Sequence, residues 1–289
     1  MSPIKKILDI VPSALASRAF GVVSDVSFPA PIQRVMNRSF VRLARIQADE
    51  AALPIENYAN LNRLFTRELK TGARPISAAD AVSPVDGRLS EKGVVADGML
   101  LDVKGRSYSA QELVGADLCR AAGVDMEWIR EAFAMTIYLS PRDYHHIHAP
   151  VSGRVSSMTY VPGRLLPVNR LGYALADDLL PTNERLTSFI ETEAGYRVAV
   201  VKVGATCVGR ISVEYDAFKT NHGANRAPFF RKLSEPYAVH AGDKLGCFEL
   251  GSTVVLLFEN GKKRFVPNPE LQSGQKIVLG SALGNWVES

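Results

Sequence analysis

From about residue 81 onward the apolar residues fall in short runs, or alternate with polar ones, at 99–103, 133–139, 155–161, 185–191, 197–203, 207–213 and 253–258, with Gly, Pro, Asn and Asp between them. Runs of that length bounded by turn formers predict strands. Two helices are expected among them, over 110–122 and 126–132, and the last fifteen or so residues look like a strand and a tail. Before residue 81 the period is different. Ile4, Ile7, Leu8 and Val11 recur at helical spacing, Phe28-Pro29-Ala30-Pro31 interrupts, and a second helical pattern starts at Ile32. In it Val35, Met36, Ser39, Phe40, Leu43 and Ile46 can share one face, while Arg34, Arg38, Arg42 and Arg45 form a stripe of their own. A further helix is expected over 61–69, ahead of a loop carrying Arg74-Pro75-Ile76. The predicted fold class is α+β, a mainly antiparallel β core with an amphipathic helical N-terminal region. The expected division is a helical, membrane-associating region at 1–50 and a β-rich catalytic domain at 51–289.

A chain of 289 residues that is 46% hydrophobic can bury a substantial core. Its formal net charge of +4 favours an anionic partner without choosing between a membrane surface, nucleic acid and none. The basic amphipathic segment narrows that choice to two readings: a helix lying in the interface of an anionic bilayer, or one packed on its own domain with a solvated arginine face. Cys119, Cys207 and Cys247 are odd in number and widely spaced, which argues against a disulfide framework or a thiolate zinc site and for a reducing compartment. No run approaches the roughly 18 apolar residues of a spanning helix, and Asp9 and Pro12 interrupt what a signal peptide would keep apolar. The expectation is a protein that neither spans the membrane nor is exported.

Three segments carry candidate chemistry. Ser83-Pro84-Val85-Asp86-Gly87-Arg88 reads first as a plain turn. Tyr144-His145-His146-Ile147-His148 places three of the five histidines within four positions after a predicted strand. If extended, it puts His146 and His148 on one side and His145 on the other; if helical, His145 and His148 converge. Clustered imidazoles titrate near neutral pH and suit acid–base work. Zinc is the rival, although neither HExxH nor CxxC is present to complete a ligand set. The third segment, Phe248-Glu249-Leu250-Gly251-Ser252-Thr253, opens an apolar strand with a Gly-Ser step. It serves as an ordinary turn, or as a reactive peptide in which the Ser252 hydroxyl attacks an unhindered Gly251 carbonyl, given a histidine base and a carboxylate behind it.

The ordered set LFTRELKTGARPI, Pro-x-Asp-Gly, KGRSYS, YLSPRDYHHIHAP, YVPGRLLPVN, VGATCVGRI and FELGSTVVLLF is similar to the phosphatidylserine decarboxylase family of bacteria, over about residues 64–258. The resemblance implies self-cleavage between Gly251 and Ser252, with Asp86 and His148 activating Ser252, to give chains 1–251 and 252–289. Oγ attack forms an ester, elimination leaves dehydroalanine, and hydrolysis gives a pyruvoyl group and ammonia. It further implies a Schiff base between that covalent pyruvoyl cofactor and phosphatidylserine, loss of CO2 to phosphatidylethanolamine, a role for His145 in decarboxylation, and no metal. His146 falls at a variable position. Implied partners are phosphatidylserine, an anionic membrane surface and the two cleavage chains for each other, with homo-oligomer formation open and no nucleic acid. The implied place is the cytoplasmic face of the cell membrane, peripherally. The Leu165-Leu166-Pro167-Val168 run lines a lipid path or packs in the core, and the substrate contacts within 215–236 are left unassigned. Alternatives are a pyruvoyl decarboxylase of another head group, a histidine-cluster metallohydrolase, and a lipid-binding relative that does not mature.

Overall fold

The computed structural model describes residues 24–101, 107–168, 175–176, 178–206, 210–221, 227–249 and 252–288. Its centre is an eight-stranded sheet in the order β12-β7-β8-β9-β14-β5-β2-β16, every neighbouring pair antiparallel. The strands are β2 (Gly87–Val94), β5 (Phe133–Leu139), β7 (Gly153–Val161), β8 (Arg185–Glu191), β9 (Arg197–Gly204), β12 (Phe229–Val239), β14 (Ser252–Phe258) and β16 (Lys276–Ile277). A four-stranded sheet, β11-β10-β13-β6, packs on one face; its strands are β6 (His146–His148), β10 (Arg210–Val213), β11 (Asp216–Lys219) and β13 (Lys244–Glu249). A three-stranded sheet joins β1 (Ala81–Val82), β17 (Ala282–Glu288) and β15 (Lys263–Pro267), and β3 (Met99–Leu101) pairs with β4 (Ser107–Ser109).

Strand β14 explains why its sequence is apolar without alternation: both of its faces are buried. Val254, Leu256 and Phe258 enter a core shared with Ile147, Ile211, Leu245 and Phe248 of the four-stranded sheet. Val255 and Leu257 enter a second core, shared with Leu113, Cys119, Trp128 and Ile129 of the helical layer. Burying each such side chain contributes roughly 1.5–3 kcal/mol, so this central strand is firmly held between β9 and β5.

Several elements depart from the sequence expectation. The helix expected over 110–122 is two, α3 (Ala110–Val114) and α4 (Ala116–Ala121), divided at Gly115, whose φ of 75° caps the first. The helix at 61–69 is only α2 (Leu61–Phe65), started by the Asn60 side chain accepting from the Arg63 N–H. The helix expected over 126–132 is a 3-10 helix, Glu127–Glu131. A short helix α5 (Leu179–Thr182) was not expected. The strand expected near the C-terminus is β17, paired on both sides and continuing to Glu288 where a tail was expected. Residues 102–103 and 207–209 of two expected strands, and the helical pattern at 4–11, lie outside the described residues.

Helix α1 (Ala30–Ala44) is the largest correction, because the side facing the protein is polar. Gln33 and Asn37 are buried; Asn37 donates to the carbonyls of Ile55 and Tyr58, and Gln33 donates to Asn37. Ile32, Val35 and Leu43 point outward, 51, 65 and 84% exposed. The expected apolar face is therefore split: Phe40 turns in toward Phe65, and Val35, Ser39 and Leu43 turn out.

Candidate active site

Asp86 sits where the chain enters β2, in a turn clamped from two directions. Pro84 accepts the N–H of His148 at 2.8 Å, and Ser83 bonds through its backbone to Gly280 and Ser281. Glycine is required at 87, for a Cβ there would lie 2.6 Å from the Tyr138 carbonyl oxygen. The Asp86 carboxylate is buried and accepts from Arg74 Nε at 2.9 Å, Arg74 Nη2 at 2.6 Å and the Leu279 N–H at 2.8 Å. Arg74 also donates to Glu50 at 2.7 Å. Its bonds to Asp86 hold that guanidinium more firmly protonated than usual.

The three histidines occupy an extended segment, as one of the two sequence readings required. His146 and His148 both lie against the Tyr144 ring, with centroids 5.0 and 5.8 Å away, whereas His145 lies against Phe65 at 4.0 Å. Each imidazole is fixed by a different backbone carbonyl: His145 Nδ1 by Asp143 at 2.8 Å, His146 Nε2 by Thr66 at 2.9 Å, and His148 Nδ1 by Gly242 at 2.7 Å. Among the described residues no group of three or more His, Cys, Asp or Glu side chains is placed to hold a metal ion.

A carbonyl can only accept, so the bonded nitrogen carries the proton and the other nitrogen of a neutral ring keeps its lone pair. For His148 that nitrogen is Nε2, 3.4 Å from a Tyr144 hydroxyl that donates to Glu68 at 3.1 Å. Burial lowers the pKa of all three: His148 below its usual 6.5, His146 to about 4 and His145 to about 3, with the anchoring carbonyls opposing in each case. At neutral pH the cluster is thus a set of uncharged bases. His145 is fully buried and its Nε2 has no partner.

Residue 252 is the first of β14 and pairs with Gly204 on one side and Leu139 on the other. Leu139 leads through a tight turn, closed by Asp143 accepting from Ser140, into the histidine segment. From the opposite direction β13 runs beside β6, with Cys247 opposite His146 and the Phe248 N–H donating to the His145 carbonyl. The strand before 252 and the histidine strand are therefore neighbours in one sheet. Gly251 and the Ser252 side chain lie outside the described residues.

Of the residues singled out in the sequence, Asp86 and His148 are drawn together by the Pro84–His148 backbone bond, but each side chain has its own partners. The carboxylate is bound by Arg74 and Leu279, and the imidazole by Gly242. Sequence reasoning did not find Arg74, Gly242 or Tyr144 as supports, nor Arg67. Only Arg74 left a trace, in the Arg-Pro loop; a carbonyl that orients a ring leaves none. Leu165 and Leu166 are buried, the latter in a small cluster with Leu179, which favours the packing reading of that run.

Comparison with known proteins places the chain in a family. Residues 61–285 match the sequence profile of the phosphatidylserine decarboxylase family. The chain is 38% identical over 281 residues to a phosphatidylserine decarboxylase proenzyme of Myxococcus xanthus, covering 96% of each. It is 39% identical over 282 residues to that of an Anaeromyxobacter strain, again covering 96% of each, and 37% identical over 277 residues to that of Brevibacillus brevis, covering 94% of each. The chain belongs to the phosphatidylserine decarboxylase family.

Proposed function

We propose that this protein is a proenzyme that cleaves itself between Gly251 and Ser252 and then decarboxylates phosphatidylserine to phosphatidylethanolamine. The observation that carries the reading is the state of His148: a neutral imidazole whose Nδ1 is fixed on the Gly242 carbonyl, leaving Nε2 as a base, in a sheet that also holds the strand leading to residue 252. In the maturation step His148 Nε2 takes the Ser252 hydroxyl proton. Asp86 then acts through its charge, which favours the imidazolium that forms, and the Arg74 and Leu279 bonds keep that charge in place. Gly251, without a side chain, leaves its carbonyl open to attack.

A pyruvoyl group suits these surroundings because uncharged, buried imidazoles neither protonate the incoming amine nor compete for it. When formed, that group supplies a carbonyl that takes up the substrate amine and draws off the electron pair released with CO2. The chain's own part in that stage is proton handling, by His145 from a fully buried position or by His148.

We also place the protein peripherally on an anionic membrane surface, the cytoplasmic face of the cell membrane. Among the described residues no helix is long and apolar enough to cross a membrane. Helix α1, by contrast, exposes Ile32, Val35 and Leu43 beside Arg34, Arg38 and Arg42, the distribution of a helix lying in a lipid interface. The test of the activity is direct: purified protein supplied with phosphatidylserine labelled in its carboxyl group should release labelled CO2 and accumulate phosphatidylethanolamine. Release from free serine but not from the lipid would move the substrate assignment elsewhere.

A further inference from the structure

A cavity of about 920 Å³ lies between α2, with the loops around it, and the outer face of the four-stranded sheet. That is the size of a small-molecule site. Its wall takes Thr66, Arg67 and Glu68 from the end of α2, His146 from β6, and Cys247 and Glu249 from β13, the strand that leads toward residue 252. Arg67 is the anomaly in this wall. It is 3% exposed, yet only Nη2 has a partner, the Arg142 carbonyl at 3.0 Å; Nε and Nη1 are buried without one. Three of its five N–H donors are thus unmet, where leaving even one buried donor unmet costs about 1–3 kcal/mol. Nδ1 of His146 and Oδ1 of Asn62, in the same wall, are unpartnered too.

The nearby carboxylates do not meet these donors. Asp86 is taken by Arg74 and Leu279, Glu50 by Arg74, Asp143 by Ser140, and Glu68 by Tyr144 and Lys244. A guanidinium that is desolvated, has Nε and Nη1 unengaged and is set in the wall of a cavity is prepared for an anion from outside the chain.

We propose that Arg67 is the receptor for the phosphodiester of the substrate head group, an inference that rests on the decarboxylase reading above. The head group offers two anions, and the chemistry separates them. An arginine on the carboxylate would stabilise the charge that must leave as CO2, raising the barrier; the phosphodiester is unchanged by the reaction and can be gripped throughout without opposing it. The mixed lining suits a head group that also carries an amine: Lys244 and Arg210 are balanced by Glu68 and Glu249.

The test uses the Ser252→Ala chain, so that maturation does not enter, and glycerophosphocholine, a soluble phosphodiester with neither carboxylate nor reactive amine. Phosphorus NMR line broadening should show binding to the Ser252→Ala chain, and Arg67→Lys in the same background should weaken it about tenfold while the protein still melts cooperatively. N-acetylserine, a carboxylate without phosphate, should compete with neither. Unchanged affinity on Arg67→Lys, competition by N-acetylserine, or a chain that no longer folds on that conservative change would each overturn the proposal, the last by giving Arg67 a structural role. In the mature enzyme the same substitution is expected to raise KM about tenfold with kcat within about threefold. A wild-type chain that binds glycerophosphocholine but releases no CO2 would refute the decarboxylase reading and leave the anion site standing.

Discussion

The chemistry of this protein turns on what surrounds each titratable side chain. His148 has its pKa lowered by burial, so the neutral base predominates at pH 6.5 and above, and the self-cleavage rate should fall only as pH drops through a midpoint below 6.5. A midpoint above 6.5 in a time course of chain cleavage would contradict this. His148→Ala should remain one chain. His145→Ala should still cleave but decarboxylate weakly, as the role proposed for its imidazole in the later step requires; an uncleaved chain on electrophoresis would contradict the division of roles. Asp86→Asn should block cleavage and also destabilise the fold by about 3 kcal/mol in urea unfolding, since it leaves Arg74 short of a buried partner. At this scale the candidates Asp86, His148 and the Gly-Ser step came from the family resemblance, since the Asp-Gly and Gly-Ser steps by themselves read as ordinary turns. The sequence hid the groups that orient them, because backbone carbonyls such as that of Gly242 carry no sequence signature.

Among the elements, the strands were legible wherever burial is uniform: β5, β8, β9 and β14 match their apolar runs to within a residue or two. Strands built around polar or aromatic positions were not, and β6, with two histidines in three residues, stays open between an extended segment and a turn of helix until its partner β13 is seen. Helix α1 was found, but its orientation was not, for periodicity reveals two faces without telling which one the protein covers. Here Asn37 answers the carbonyls of Ile55 and Tyr58, and that polar match turns the apolar stripe outward. Replacing Val35 and Leu43 together by Ser should therefore weaken sedimentation with anionic vesicles at least tenfold and leave the melting temperature within about a degree. A large fall in melting temperature would mean that the stripe packs on protein. In β9, Lys202 is fully buried on Ser188, which in turn bonds Tyr215, and burial lowers its pKa to about 7. Lys202→Met, of similar volume, should raise stability at pH 7 by about 1–2 kcal/mol in urea unfolding, since it removes a desolvated amine.

For the whole molecule the same groups set a pH dependence of stability. The three histidines each have a folded-state pKa below the unfolded 6.5, His145 at about 3 and His146 at about 4, so the unfolded chain binds more protons as pH drops below 6.5 and stability falls through that window. Lys202 acts in the same sense between 10.5 and about 7. The urea midpoint should accordingly decline from pH 8 to pH 5, with no maximum near neutrality. The packing that imposes these shifts also holds β14 between β9 and β5, so the segment after 251 stays in the sheet whether or not the preceding bond is intact. Cleavage would leave two chains that remain together under native conditions.

That last point makes one experiment most informative: intact-mass spectrometry of the purified protein under denaturing conditions. Two chains divided after Gly251, the smaller lighter by one ammonia than the unmodified 252–289 peptide, are the predicted result. A single chain with the mass of all 289 residues would contradict self-maturation, and with it the account of how the active group arises.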